Sequence, residues 1–567
     1  MYAHPPIGSA TGQRQPHRRR QRIQGDTVTT WLLTAAVLLP LLIFLVMPLA
    51  LILARSTETP TGFGFGNFAA AFLAARFWHL VGNSVGMAAL TTALTVVLAY
   101  AYAYGLQRST VRGRGVLRFI ALMPLFAPSL VQGQGLILLF GRNGVVNRYL
   151  GAGIDIYGFH GIVIANLFYA FPYALLILSA ALAIADARPY ESATVMGASA
   201  WRRFRTVTLP PTRYGLAAAC FVCFTLVITD FGNAMLIGGD FNVLATEMYN
   251  QVIGQAQFAL GAVIGVVLLV PAMIAKIVEK RIVRRQTALV LPQSIPYVPA
   301  PSRWRDLGFG LYLYLFAGAM LAIVGIVVVA SFVTLWPYNL QPTLKHYRFD
   351  FQEGLTPLRN SILIATLTAT VGVVMAGLAA VVATKFRNPV TPALSLLSIL
   401  PSAVPGMVLG LGYVLMLNNP ANPLHVLYGT LLSIVILNVY YNHSQAFLIS
   451  STTLTQIGSS FDEASKMLGA GVLRTLLKVT LPILWPTLLG VWVFYFMRAM
   501  VSLSALIFLI TPSTKVAAVA VLQLSDRGAM NQAAAFSACI MVTVAACLLV
   551  VRLILVMAGA KDVKLIR

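Results

Sequence analysis

The sequence predicts an all-α, polytopic membrane protein of about twelve transmembrane helices in two parallel six-helix repeats. Three observations carry this. The 567-residue chain is 58% hydrophobic and 10% charged, with a mean hydropathy of +0.82, which is more apolar surface than a soluble core hides. Runs of about 20 apolar residues recur along it, each long enough to cross ~30 Å of hydrocarbon as helix. Finally, one compound signature occurs twice. Glu191-Ser192-Ala193-Thr194-Val195-Met196-Gly197 closes on Val207-Thr208-Leu209-Pro210, and Glu463-Ala464-Ser465-Lys466-Met467-Leu468-Gly469 closes on Val479-Thr480-Leu481-Pro482. Both copies have the same internal spacing, since 463 − 191, 469 − 197 and 482 − 210 all equal 272.

Taken in order, the apolar runs lie near 31–53, 82–105, 116–140, 160–183, 216–238 and 258–278. A second six follow near 309–333, 360–383, 393–417, 425–449, 487–510 and 532–558. Helices are expected because each satisfies its own backbone hydrogen bonds in lipid. The repeat reaches beyond the signature: Asn83-Ser84 matches Asn360-Ser361, Pro124 matches Pro401 and Pro128 matches Pro405, at an offset of 277. Asn166 and Tyr169 then match Asn438 and Tyr441 at 272. Six spans per half is an even number, so both halves enter from the same side and the repeat is parallel. The expected organisation is a disordered basic arm at 1–30, a first repeat at 31–278, a linker at 279–306 and a second repeat at 307–567.

A formal charge of +24 raises the question of nucleic acid, but the cations sit in short loops rather than on one soluble face. They read as an orientation signal. Arg14, Arg18, Arg19, Arg20 and Arg22 precede the first run, which places the N-terminus in the cytoplasm. Arg108, Arg112 and Arg114, then Arg202, Arg203 and Arg205, then the linker's Lys280, Arg281, Arg284 and Arg285, and finally Lys561 and Lys564, occupy alternate loops. Both signature copies and both termini are therefore expected on the cytoplasmic side. No cleaved signal is expected, because the first run is of full spanning length. Cys220 and Cys223 form a CxxC inside an apolar run with no second pair, which reads as packing.

The signature has a mechanical logic. Gly197 and Gly469 permit the left-handed conformation that ends a helix, and Pro210 and Pro482 restart the chain toward the next span. Small residues around Glu191 and Glu463 let a partner approach the backbone. Ser460-Phe461-Asp462-Glu463 also fits a capping box. The first copy has Arg188 where the box needs Ser or Thr, so capping does not account for both glutamates.

These residues resemble the membrane subunits of binding-protein-dependent ABC importers, whose hallmark is a cytoplasmic loop reading Glu-Ala-Ala, three residues, Gly, nine residues, Ile-x-Leu-Pro. The match holds at Glu191, Gly197, Leu209 and Pro210, and at Glu463, Gly469, Leu481 and Pro482. Ser192 and Ser465 each replace an Ala, and Val207 and Val479 replace Ile. The resemblance implies the transmembrane domain of a type I importer in the bacterial inner membrane. It further implies that Glu191, Ser192, Ala193 and Gly197, with Glu463, Ala464, Ser465 and Gly469, contact a homodimeric cytoplasmic ATPase. An extracytoplasmic solute-binding protein is the other implied partner, beside membrane lipid. The chain has no G-x-x-x-x-G-K-[ST] loop, so ATP and Mg are expected on the ATPase and no cofactor on this chain. Within the family, Thr229-Asp230-Phe231-Gly232, Ile237-Gly238-Gly239, Phe241-Asn242-Val243-Leu244-Ala245-Thr246 and Gln251-Val252-Ile253-Gly254 look like permeases assigned to 2-aminoethylphosphonate uptake. Leu139-Phe140-Gly141-Arg142-Asn143-Gly144 is similar both to those and to the ferric-iron permeases, and ferric iron or a polyamine is the alternative substrate.

Polar groups within spans are costly and mark candidate routes for solute. Asn166 with Tyr169, and Asn438 with Tyr441, share helix faces at i,i+3. Either they line a central path or they hydrogen-bond between helices. Asp230 and Arg498 stand alone in their spans. They suit the ammonium and phosphonate of a zwitterion, or pair with each other. His443, beside Asn442 and Ser444, has no proton relay around it and reads as polar packing. No nucleophile triad, paired carboxylates or metal-ligand spacing appears, so a transport subunit rather than an enzyme is expected. A major-facilitator-type transporter shares the twelve-span count, but its acidic and basic loop pattern is missing from Gln107 to Gly115.

Overall fold

A computed structural model describes residues 16–60, 62–183, 186–287, 297–348, 354–386, 388–457 and 460–558. Among them, nine helices are long and apolar enough to cross a membrane, and two sharply bent helix pairs supply further crossings. In the first half the spans are Thr27–Thr57, Ala75–Arg108, the bent pair Arg114–Phe126 and Leu130–Leu150, then Phe159–Ala183, Ala200–Ile228 and Phe258–Glu279. The second half supplies Arg303–Ser331, Thr356–Lys385, the bent pair Thr391–Ala403 and Gly406–Leu417, then Val472–Met500 and Met530–Met557. The remaining tenth position is the helix Leu431–Gln456. It sits 272 residues after Phe159–Ala183 (431 − 159) and is more polar because Asn438, Asn442, His443 and Ser444 are all buried in it.

Two expected straight spans are bent. The third turns by 106° and the ninth by 110°, just after Phe126 and Ala403, where Pro128 and Pro405 cannot donate a helical hydrogen bond. The matched prolines are therefore the hinges. The fifth and eleventh spans also stop earlier than expected, at Ile228 rather than 238 and at Met500 rather than 510. Beyond them the chain breaks and continues through short helices, Gly232–Ile237 and Leu244–Tyr249 in one half and Ala517–Asp526 in the other. At the first break the Asp230 carboxylate accepts from the Asn233 N–H at 3.0 Å, capping the new helix where the old one ends.

The expected arm ends sooner than residue 30, because helix begins at Pro16, a proline in a first turn followed by good helix formers. Residues 1–15, including Arg14, lie outside the described residues, as do 288–296 of the expected linker and the tail with Lys561 and Lys564. The sixth span's helix continues to Thr287.

The matched Asn-Ser pairs do the same job twice. Ser84 Oγ accepts from the Leu244 N–H at 2.7 Å, and Ser361 Oγ accepts from the Ala517 N–H at 2.8 Å. Asn83 Nδ2 donates to the Asn242 carbonyl, and Asn360 Nδ2 to that of Lys515. Each pair anchors the broken segment after the fifth helix of its repeat to the second helix.

Three helices carry a wide turn immediately before a proline: Leu42–Val46 before Pro48, Phe204–Thr208 before Pro210 and Leu476–Thr480 before Pro482. A proline lacks the N–H and crowds the carbonyl four residues back, and one π turn absorbs both defects without ending the helix. Pro210 and Pro482 thus continue the chain into the next span rather than restart it.

The halves interlock. The first span packs on Gly406–Leu417 of the second half, and the seventh packs on Leu130–Phe140 of the first. Glycine makes both approaches possible. A Cβ on Gly135 would lie 2.2 Å from the Ile323 carbonyl oxygen, and one on Gly412 would lie 2.7 Å from that of Pro48. Such small-residue contacts replace the hydrophobic drive that lipid cannot supply. Cys220, Cys223, Cys539 and Cys547 are all unpaired.

Gly135→Ala and Gly412→Ala are expected to cost about 1–3 kcal/mol each, as overpacking does, and to lower the melting temperature in detergent. Gly82→Ala, with nothing within 4 Å of the new Cβ, is the neutral control. Equal melting temperatures for all three would refute the close-contact reading.

Candidate functional site

Two features stand out: a pair of projecting loops and a polar cavity between the repeats.

The first loop begins with the helix Ala187–Val195, capped by Asp186, whose carboxylate accepts from the Arg188 N–H. Glu191 therefore lies beyond the capping turn, exposed, and makes no capping box. Gly197 then takes φ +70°, and Gly469 takes φ +68° in the second loop. In both, the residue after the glycine donates back to the helix: Ala198 to the Ala193 carbonyl and Ala470 to that of Ser465, each at 2.9 Å. These bonds close the helix end that a left-handed glycine allows. The side chains of Ser460, Asp462 and Lys466 in the second loop lie outside the described residues.

Different side chains brace the two turns. Thr194 Oγ1 accepts from Arg203 Nη1 at 3.0 Å in the first, while Ser465 and Thr475 join hydroxyls at 2.6 Å in the second. The tips are apolar and bare: Val195 is 89% exposed and Met196 83%, and their repeat partners Met467 and Leu468 are 89% and 88% exposed. Exposed apolar pairs of this kind mark surfaces that suit protein contacts, and Glu191 and Glu463 are exposed on the same short helices. These pairs lie inside the segments Glu191 to Gly197 and Glu463 to Gly469 that the signature singles out, and the structure shows them to be its most exposed large apolar residues.

Behind the first loop, Arg108 is buried. Its guanidinium lies 5.0 Å from the Tyr190 ring and 4.6 Å from the Tyr297 ring, and donates to the Leu182 carbonyl at 3.0 Å. Tyr190 donates to Thr208 Oγ1 at 2.9 Å. The loop, the helix below it and the inter-repeat linker are thereby fastened together.

The cavity, of about 50 Å³, is lined by Tyr169, Tyr173, Asp230, Tyr441 and Arg498 among others. It has room for a few waters. Three pairs of repeat partners line it together: Tyr169 with Tyr441, Leu226 with Arg498, and Asp230 with Ser502. Its charge is not symmetric, because the anion comes from one half and the cation from the other. Arg498 donates from Nε to Asn442 Oδ1 at 3.2 Å and from Nη1 to the Tyr173 hydroxyl at 3.0 Å. Asp230 is instead held by the broken backbone after it, so the two share a cavity without forming an ion pair.

Of the polar residues singled out, Tyr169, Tyr441, Asp230 and Arg498 come together here. Asn166 does not reach the cavity. Its Oδ1 accepts from Asn233 Nδ2 at 2.8 Å, and Asn233 Oδ1 accepts from the Gly133 N–H at 3.0 Å, a network that ties the fourth span to the broken segment. Asn438 is likewise buried elsewhere, its carbonyl accepting from Asn442 Nδ2. His443 is fully buried, its ring 6.2 Å from Phe447 and 6.3 Å from Tyr440. Tyr173 and Asn442, four residues beyond Tyr169 and Asn438, were missed, although i,i+4 spacing on the same face was the signal.

Residues 95–288 and 369–559 each match the binding-protein-dependent transport system inner membrane component. Among relatives, the chain is similar to the ferric transport system permease protein FbpB of Actinobacillus pleuropneumoniae, 28% identical over 501 residues, which are 83% of this chain and 70% of that protein. It is also similar to the molybdenum transport system permease protein ModB of Azotobacter vinelandii, 32% identical over 157 residues, covering 27% of this chain and 70% of that one. A third relative is the spermidine/putrescine transport system permease protein PotB of Haemophilus influenzae, 29% identical over 221 residues, covering 36% of this chain and 77% of its own. The family matches take in about two thirds of the residues, once in each repeat, and the chain belongs to the binding-protein-dependent transport system inner membrane components, the permeases of ABC importers.

Proposed function

We propose that this permease carries a small zwitterionic solute, 2-aminoethylphosphonate first among candidates, past the cavity between its repeats. One observation carries the substrate reading: Arg498 and Asp230 line the same cavity without neutralising one another. Closed here to about 50 Å³, the cavity must widen to admit a solute, and a phosphonate and an ammonium then each find a partner in it, with the Tyr169, Tyr173 and Tyr441 hydroxyls as further donors. A second reading, ferric iron delivered by a binding protein, is favoured by the similarity to the ferric permease over most of both chains. A polyamine is the third, by the likeness to the spermidine/putrescine permease.

Transport is driven from outside the chain, which is a transport component rather than an enzyme. In this reading a homodimeric cytoplasmic ATPase, holding ATP and Mg, receives the two loops. The apolar tips Val195-Met196 and Met467-Leu468 seat in the ATPase, and Glu191 and Glu463 rim the contact. ATPase closure draws the loops together, and the paired fifth and eleventh helices, continuous with the loops through their π turns, tilt to open the cavity outward to a docked solute-binding protein. Reopening on hydrolysis returns the cavity to the inside. The inner membrane, with both termini in the cytoplasm, is the setting these loops require, because their partner is there.

Glu191→Ala with Glu463→Ala is expected to leave the permease in the membrane while abolishing uptake and copurification of the ATPase. Normal uptake by that double variant would remove the docking role of the glutamates.

Arg498→Gln is expected to slow 2-aminoethylphosphonate uptake about ten- to hundredfold, the range for losing charge-assisted hydrogen bonds, with Asp230→Asn slowing it as well. Uptake of labelled phosphonate and of ferric iron would be followed in parallel in cells lacking and then regaining the chain. Restored iron uptake with no phosphonate uptake would replace the first reading by the second.

A further inference from the structure

An apolar groove of about 530 Å³ runs between the eighth span, Thr356–Lys385, and the eleventh, Val472–Met500. It lies within the roughly 300–1,000 Å³ range of ligand sites. Val373, Gly377 and Val381 form one wall, and Leu476, Leu484 and Trp492 belong to the other. No polar surface is presented inside it. From Val373 to Val381 the groove follows eight residues of helix, about 12 Å. One leaflet of a ~30 Å hydrocarbon core is about 15 Å deep. Its rim faces the lipid side of the bundle, with Val374 62% and Leu477 53% exposed.

The other repeat explains why the groove is there. Gly377 corresponds to Tyr100 and Val381 to Tyr104 (377 − 277 and 381 − 277), while Leu476 corresponds to Phe204 and Leu484 to Thr212 (476 − 272 and 484 − 272). In the first half these residues fill the same space. The Tyr100 hydroxyl bonds Thr212 Oγ1 at 3.0 Å, the rings of Tyr100 and Tyr104 lie 6.1 and 5.7 Å from that of Phe204, and Phe309 packs on Tyr104 at 5.4 Å. The second half replaces two tyrosines and a phenylalanine by Gly, Val and Leu, and the groove opens there, with Trp485 and Trp492 on its far wall where the first half has Arg213 and Cys220.

We propose that the groove is a binding site for one acyl chain of an anionic phospholipid of the leaflet on the signature-loop side. Hydrocarbon is the only solvent at that depth, and the wall offers it nothing but carbon. The headgroup preference follows from the mouth. The groove ends at the π turn Leu476–Thr480, where Lys478 is exposed, with exposed Arg474 just before it. Basic side chains at that level attract anionic headgroups. The lipid would take the structural place of the aromatic plug, bracing the π turn through which the second loop joins its span.

The test is native mass spectrometry of the full chain released from micelles titrated with phosphatidylglycerol or phosphatidylethanolamine of identical acyl chains. The unmodified chain is expected to saturate with one tightly held phosphatidylglycerol and to prefer it over phosphatidylethanolamine. Lys478→Gln is expected to reduce that preference about fivefold, the effect of one basic residue near the surface. Gly377→Tyr with Val381→Tyr, which copies the plug of the first half, is expected to abolish the saturable lipid. Should that pair fail to fold, Val374→Phe at the exposed rim is expected to weaken it. Non-saturating binding that is the same for both lipids, or a saturable lipid unchanged by the groove variants, would overturn the site.

Discussion

A backbone in hydrocarbon must satisfy its own hydrogen bonds, and the places where this chain departs from helix are the places where it supplies substitutes. The third, fifth, ninth and eleventh spans bend or break, and most of those points lie around the interface between the repeats. There the Asp230 carboxylate, the Ser84 and Ser361 hydroxyls and the Asn233 amide take the backbone groups that the helix has released. Lipid never meets these groups. The same requirement accounts for the π turns at Pro48, Pro210 and Pro482, where a proline defect is absorbed inside a helix that has to continue.

Duplication supplies the frame, and divergence supplies the specialisation. Interlocking of each half's first helix with the bent helix of the other makes the repeats one body, held at Gly135 and Gly412, which are themselves repeat partners. The cavity lies where related positions meet, yet Arg498 is the counterpart of Leu226 and Asp230 that of Ser502. A symmetric frame thus carries an asymmetric field. The eighth and eleventh helices show the same divergence in packing, since aromatic rings fill in one half what is left open in the other.

Much of this was legible in the chain. The signature located both projecting loops, and the glycines at 197 and 469 do take the left-handed conformation expected of them. The matched prolines were visible as repeat positions but not as bends, because an apolar run looks alike whether the helix within it is straight or turned through 106°. Hydropathy also ran past Ile228 and Met500, since residues buried in a broken segment within the bundle are as apolar as those of a span. Among the polar residues, i,i+3 spacing grouped Asn166 with Tyr169, but only the tyrosine reaches the cavity.

By itself the sequence determined the helical class, the two-repeat organisation and the position of the signature loops, because these rest on composition, on periodicity and on one spacing kept in two copies, and the family was legible as a resemblance of that signature to a known motif. Which polar residues converge, how each half grips the other, and which half leaves a groove open were decided only in the tertiary structure. Those outcomes depend on helix rotation and on contacts between residues hundreds of positions apart, such as Arg498 with Tyr173 and Tyr413 with the Phe44 carbonyl. No local pattern encodes them.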